Sequence, residues 1–426
     1  MSYCDKWLKY FPSGQWPIYL GWLAIFSLPW QTRWIILDHS LAGLFSEYSR
    51  ISLYGSTILI LLTLIVLVIN KKFQRPNWLY FLPLLWIILS FIWTKDYLMT
   101  GYYGLVWLVA VMVLLIVQSL PRKIVINALI CAGILQALIA LAQFSLQYIP
   151  ASSWLGWAEH RPEVLGQSVV IIEGLRYLRA YGSLPHPNML AGFLTVVYLL
   201  LIIFRQQFLP QKKSLFIWLF FIGLCTLGLV VTFSRAAWLA TVVGLIIYLL
   251  ISCRQRDWFA VRKIILAVVV SLGIIAGCNL TSSAMLTARV DISSRLEQKS
   301  VSERIVGLEQ SWNIIKQPAT FLLGTAVGGY LPAVIKQAPG LTWYDYQPVH
   351  NIYLFLLSEW GLIGLIILFI SGLAYWQGRR SSGELIVIFT ALFIIGLLDH
   401  WLMSSYFGLL LCATLLGLSA KKTIID

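Results

Sequence analysis

The stretch LFIWLFFIGLCTLGLVVTFSRAAWLATVVGLIIYLL, Leu215 to Leu250, carries a single charge, Arg235, in 36 residues. A helix needs roughly 20 apolar residues to cross a bilayer core of about 30 Å, so this run is too long for one span and suits two. An arginine at mid-bilayer costs about 2.5–3.5 kcal/mol on insertion scales, which puts Arg235 at a tight turn between the spans, facing a cavity. There its planar guanidinium can give bidentate contacts to an anionic headgroup or pyrophosphate. The plainer reading is a snorkelling residue that orients a helical hairpin.

Working outward, the 426 residues are 59% hydrophobic and 11% charged, which leaves too little polar surface for a soluble globule. Apolar stretches recur near 17–37, 52–70, 78–94, 101–118, 124–146, 188–204, 214–233, 236–252, 263–280, 351–376, 384–398 and 401–419. The expected fold is an all-α polytopic membrane protein of about twelve transmembrane helices. With both termini in the cytoplasm, the inner segments hold 18 of the 31 basic residues and 4 of the 17 acids. The whole net charge of +14 then falls on the inner face, as the Lys and Arg bias of short loops requires. Topology and attraction to anionic lipid account for the basic balance, so no nucleic-acid partner is expected. The first apolar run is long, Trp-rich and without a small-residue cleavage site, and is expected to act as its own insertion signal. The six cysteines are scattered, so neither a disulfide framework nor a metal cluster is expected.

Two outer segments are long, at about 149–187 and 281–350. The chain therefore divides into residues 1–280 with nine spans and the first outer loop, a large extracytoplasmic loop at 281–350, and residues 351–426 with three spans. In the large loop, Ser300-Val301-Ser302-Glu303 resembles a capping box that opens a helix. Ile305, Leu308, Trp312 and Ile315 then form one apolar stripe, ending at Pro318, which predicts an amphipathic helix on the outer interface. Gly324 to Tyr330 is turn-rich and a weak signal for phosphate.

All five histidines fall on the expected outer side. His350, in Gln347-Pro348-Val349-His350-Asn351, precedes a span and is suited to proton transfer near neutral pH. His186 lies between two prolines ahead of another span, where Asn188 is placed to cap the helix that follows. Arg179 and, less specifically, Arg176 precede that turn, and Arg304 lies beside the stripe of the amphipathic helix. Each is either an anion contact or a solvated or interfacial charge. Glu359 reads equally as a buried partner or a near-surface residue. The acids and histidines are too dispersed for a metal motif, and no cofactor is expected.

Together, Arg179 to Gly192, Ser234 to Trp238, Ser302-Glu303-Arg304 with Trp312, Gly324 to Tyr330, and His350 to Leu354 with Gly361 and Gly364 resemble the O-antigen ligase family. These are bacterial membrane glycosyltransferases, related to Wzy-like polysaccharide polymerases and protein O-oligosaccharyltransferases. The resemblance implies a GT-C-like fold in the bacterial inner membrane, with the active site extracytoplasmic. It implies metal-independent transfer of a glycan from undecaprenyl diphosphate to an acceptor hydroxyl, on lipid A-core or another glycan or protein. By position, His350 would be the base, Arg179 and Arg235 would hold the diphosphate, and Arg304 is a less secure match. A polymerase or protein transferase would share donor and fold. A lipid-linked oligosaccharide flippase is the rival from another class, although the chain shows neither the repeated halves nor the paired broken helices of a transporter.

Overall fold

The structure is a computed structural model that describes residues 15–41, 43–74, 76–209, 215–281, 295–342, 345–377 and 383–419. Its longer helices are α1 (Trp16–Phe26), α2 (Gly55–Ile69), α3 (Leu82–Ser90), α4 (Tyr97–Ser119), α5 (Arg122–Leu146), α6 (Pro187–Ile203), α7 (Leu215–Thr232), α8 (Arg235–Arg254), α9 (Trp258–Thr281), α10 (Arg295–Ile315), α11 (Tyr330–Gln337), α12 (Ile352–Gln377), α13 (Gly383–Leu398) and α14 (Tyr406–Ser419). Among the described residues, six helices are long and apolar enough to cross a membrane and six more apolar helices are shorter. Each of the twelve apolar stretches overlaps one of these helices. The molecule is a polytopic, mostly helical membrane protein.

Helix α6 is the centre. Nearly every residue from Pro187 to Ile203 is buried, and α5, α7, α8, α9 and α13 pack around it. Helices in lipid approach closely where side chains are small. At Gly192 a Cβ would lie 2.3 Å from the Trp401 ring, so only glycine lets the 401–404 turn seat against α6.

The fold is not purely α. Residues 17–37 are not one span: α1 stops at Phe26, and strand β1 (Arg33–Leu41) pairs antiparallel with β2 (Leu44–Tyr54). The run Trp34-Ile35-Ile36-Leu37 holds one aromatic and two β-branched residues, a strand composition as readily as a span. Its register jumps twice, between Ile35 and Leu37 and between Asp38 and Ser40, which bends the hairpin. A second hairpin, β3 (Val169–Ile172) with β4 (Leu175–Leu178), lies in the segment between α5 and α6.

The amphipathic helix exists as α10, but it starts at Arg295, so Ser300 sits inside the helix rather than at its N-cap. Its exposed stripe is Val301, Ile305, Leu308 and Trp312, whereas Ser311, Ile314 and Ile315 are buried against the protein. The turn after α10 locks onto α12 through two glycines. Gly361 breaks the helical conformation of α12 with φ +64°, and a Cβ there would meet the Gly324 nitrogen at 2.4 Å. Glu359 is buried about two turns into α12, and accepts hydrogen bonds from the amides of Gly328 (3.0 Å) and Tyr330 (3.3 Å). The glycine-rich segment is thus packed against α12 and α4 rather than open as an anion cradle.

Candidate active site

The site is built on the N-terminus of α6. Pro187 at the first helical position presets the backbone, and His186 is the cap: its Nδ1 accepts the Asn188 N–H at 3.1 Å. This corrects the expected cap, Asn188. An imidazole that accepts at Nδ1 carries its proton on Nε2, which donates to Ser168 Oγ at 3.0 Å. Burial, then the Arg179 charge, pushes the His186 pKa down to about 3, so the ring is neutral.

Released from capping, Asn188 joins two elements. Its Oδ1 accepts from Arg179 Nη2 at 2.7 Å, and its Nδ2 donates to Asp399 Oδ2 at 2.8 Å. Arg179 is buried and also donates Nε to the Thr232 carbonyl at 2.7 Å, tying the end of β4 to the α7–α8 turn. Asp399 stands in the break after α13. Its Oδ1 accepts the His400 amide at 2.8 Å and lies 3.7 Å from His350 Nδ1. His350 Nδ1 is itself buried and makes no hydrogen bond. Four residues therefore run in series: Arg179, Asn188, Asp399 and His350.

Electrostatics favour a charge on Asp399. Burial works to raise its pKa, but the adjacent His350 and then His400 outweigh it and hold the carboxyl below the ordinary range. His400, whose ring lies 5.2 Å from that of His350, is pushed down to about 4 by its own burial. Its Nδ1 is 2.6 Å from Ser404 Oγ. His186 and His400 are thus neutral at neutral pH, and His350 is the ring that faces the Asp399 carboxylate through Nδ1.

These groups open into a cavity of about 250 Å³, lined by His186, His350, Asp399 and His400, by Arg33, Glu47, Tyr48, Arg50 and Tyr54 of the first hairpin, and by Tyr102 and Tyr103 of α4. Of the residues singled out from sequence, His350 and His186 line it, and Arg179 lies behind Asn188. Arg235 starts α8, at the turn between helices as expected, and does not line the cavity. Arg304 is half-buried, with its Nε buried and without a hydrogen bond. One turn on, a Cβ at Gly307 would lie 3.6 Å from Val349 Cα, so α10 lies against the turn that carries His350. Arg176 lies apart, donating to the carbonyls of Pro162 (2.6 Å) and Val164 (3.2 Å) within the loop.

His350, Asp399 and His400 also offer ligand atoms within 4.8 Å of one another. Two imidazoles and a carboxylate suit a zinc-class ion. Here the carboxylate already accepts from Asn188 and the His400 amide, and His400 Nδ1 is engaged by Ser404.

Asp399 and His400 are the functional candidates that sequence reading missed. The signal was present: Asp399 is the only charged residue from Leu385 to Ser419, the same isolation that singled out Arg235.

Residues 218–369 match the family model described as O-antigen ligase. The match supports an O-antigen ligase family assignment. No curated protein matches the chain. The matched stretch runs from α7 into α12 and holds Arg235, Arg304 and His350. Arg179, His186, Asn188 and Asp399 lie outside it and reach His350 through the folded structure. The family supports a membrane enzyme of the ligase or polymerase type.

Proposed function

We propose that the protein is a metal-independent, inverting glycosyltransferase that moves a glycan from undecaprenyl diphosphate to an acceptor hydroxyl, on lipid A-core or another surface acceptor. The reaction takes place on the outer face of the bacterial inner membrane, in a GT-C-like fold of twelve spans with both termini cytoplasmic. The observation that carries this reading is the series from Arg179 through Asn188 and Asp399 to His350, which ends on a cavity.

Asp399 facing His350 Nδ1 favours the tautomer with the proton on Nδ1, leaving Nε2 as the base. The 3.7 Å separation is longer than a hydrogen bond, as catalytic contacts often are before substrate binds. The acceptor O–H gives its proton to His350 Nε2 while its oxygen bonds to the anomeric carbon. The bond from that carbon to the diphosphate breaks on the opposite face, and undecaprenyl diphosphate departs with the electron pair. Asp399 stabilises the imidazolium that forms. Arg235 and Arg304, which lie outside the lining of the cavity, are the cations that the resemblance assigns to the leaving diphosphate. Arg179 acts here as a positioning residue through Asn188, a different role from the direct diphosphate contact the resemblance implied.

The test is transfer in vitro by the purified protein from an undecaprenyl-diphosphate glycan, offering lipid A-core, a second carrier-linked glycan or a peptide. Glycosylated lipid A-core is expected. A lengthened carrier-linked glycan would instead make the protein a Wzy-like polymerase, and a glycopeptide a protein O-oligosaccharyltransferase. No transfer to any of the three, with movement of the carrier across the bilayer, would make it a flippase.

A further inference from the structure

The cavity has a second wall that the proton-transfer series does not use. It is formed by the β1–β2 hairpin and the facing surface of α4. Along the hairpin runs a ladder of four charges. Arg33 pairs with Glu47 Oε1, Arg50 Nη1 donates to Glu47 Oε2 at 3.1 Å, and Arg50 Nε donates to Asp38 at 2.8 Å. Arg33, Glu47 and Arg50 line the cavity and Asp38 braces Arg50 from outside that lining, so each guanidinium is balanced by a carboxylate partner.

That balance decides what the wall can hold. A diphosphate needs a net positive site, and each arginine of this ladder already faces a carboxylate. A ligand with many neutral hydroxyls is different, because its O–H groups donate to carboxylates while its oxygens accept from guanidinium N–H groups. Beside the ladder the cavity is aromatic. Tyr54 stacks on Tyr406 with centroids 3.9 Å apart and planes 4° apart. Tyr102 and Tyr103 come from α4, and Tyr103 donates its hydroxyl to the Tyr48 carbonyl at 3.0 Å, fixing α4 to the hairpin. Polar groups in fixed positions next to aromatic faces are the usual make-up of a specific small-ligand site. Charge-paired hydroxyl binders with aromatic rings match a pyranose, which has polar edges and apolar C–H faces.

From this wall we infer a saccharide-binding subsite, in which Glu47 and Arg50 hold ring hydroxyls and the tyrosines hold the ring face. It is on the same cavity as His350, and so places a sugar within the site where transfer is proposed. The inference rests on the glycosyl-transfer reading only for the origin of the sugar, which is the glycan of the donor or that of the acceptor.

The test measures binding rather than turnover, using the full chain in lipid nanodiscs. The probes are bare undecaprenyl diphosphate, undecaprenyl diphosphate carrying N-acetylglucosamine, and lipid A-core oligosaccharide. Glu47→Gln keeps size and shape but removes the charge, and a lost charge-assisted hydrogen bond weakens affinity about tenfold or more. That loss is expected on at least one sugar-bearing probe, with bare undecaprenyl diphosphate changed by less than about twofold. Loss on the N-acetylglucosamine probe assigns the subsite to the donor, and loss on the oligosaccharide assigns it to the acceptor. Equal loss on the bare carrier, or no loss on either sugar probe, overturns the inference. Arg50→Gln, at the more open end of the ladder, gives the same comparison if Glu47→Gln does not fold. Because no turnover is needed, a His350 variant that still transfers glycan would sink the proposed reaction and leave this result standing.

Discussion

At the residue scale, Asp399 carries the argument for how His350 is held. It is buried, accepts from Asn188 and the His400 amide, and faces His350 Nδ1. Asp399→Asn keeps the shape but presents an amide to His350 and removes the charge that stabilises an imidazolium. Transfer is expected to fall on the order of 100-fold or more, with expression and insertion unchanged. Unaltered turnover in that variant would make Asp399 a packing residue. His400 gives a pH prediction. Its folded pKa is about 4 against an ordinary value of 6.5, so the unfolded chain binds the extra proton first as pH falls. Its contribution is complete above pH 6.5 and is lost toward pH 4, at up to about 1.4 kcal/mol per pH unit. Thermal unfolding in detergent should show wild type losing more stability than His400→Gln between those values. Equal losses would contradict the burial argument. His350 and His186 were legible in the sequence because a histidine at a span boundary stands out. The Asn188 bridge was not, because it depends on His186 taking the cap and on the folded approach of residues 211 positions apart.

At the element scale, apolar length made the helices legible and composition hid the first hairpin. Trp34-Ile35-Ile36-Leu37 continues the apolar run of α1, so it reads as span until the pairing with β2 is seen. The hairpin then supplies one wall of the cavity, so this misreading concealed half of the site. The Ser300 capping box misled for a different reason: the pattern is short, and a helix that begins at Arg295 includes it without using it. The break in α12 makes a stability prediction. Gly361 has φ +64° and no room for a Cβ, whereas Gly372 in the same helix has nothing within 4 Å of one. Gly361→Ala should destabilise by about 2 kcal/mol or more, and Gly372→Ala should be neutral or stabilising by up to about 1 kcal/mol. Urea unfolding in mild detergent compares the two, and indistinguishable midpoints would refute the kinked docking of α12 on the Gly324 turn.

At the scale of the whole molecule, the ion pairs follow the grouping of segments that the charge count expects. Among the described residues, each ion pair joins segments that the charge count assigns to one face: Arg122 with Glu384 inside, and His39 with Asp96, Arg33 with Glu47, and His350 with Asp399 outside. The site gathers where α6 begins, and its parts come from regions as distant in sequence as the first hairpin and the α13–α14 break. The matched family region covers His350 but neither Asp399 nor the hairpin wall. The central claim, that His350 is the base of a glycan transfer, is tested most directly by His350→Ala in a reconstituted assay with a purified undecaprenyl-diphosphate glycan and lipid A-core. The account predicts that product disappears while the variant inserts, folds and still binds the donor. Product formed at the wild-type rate would contradict it.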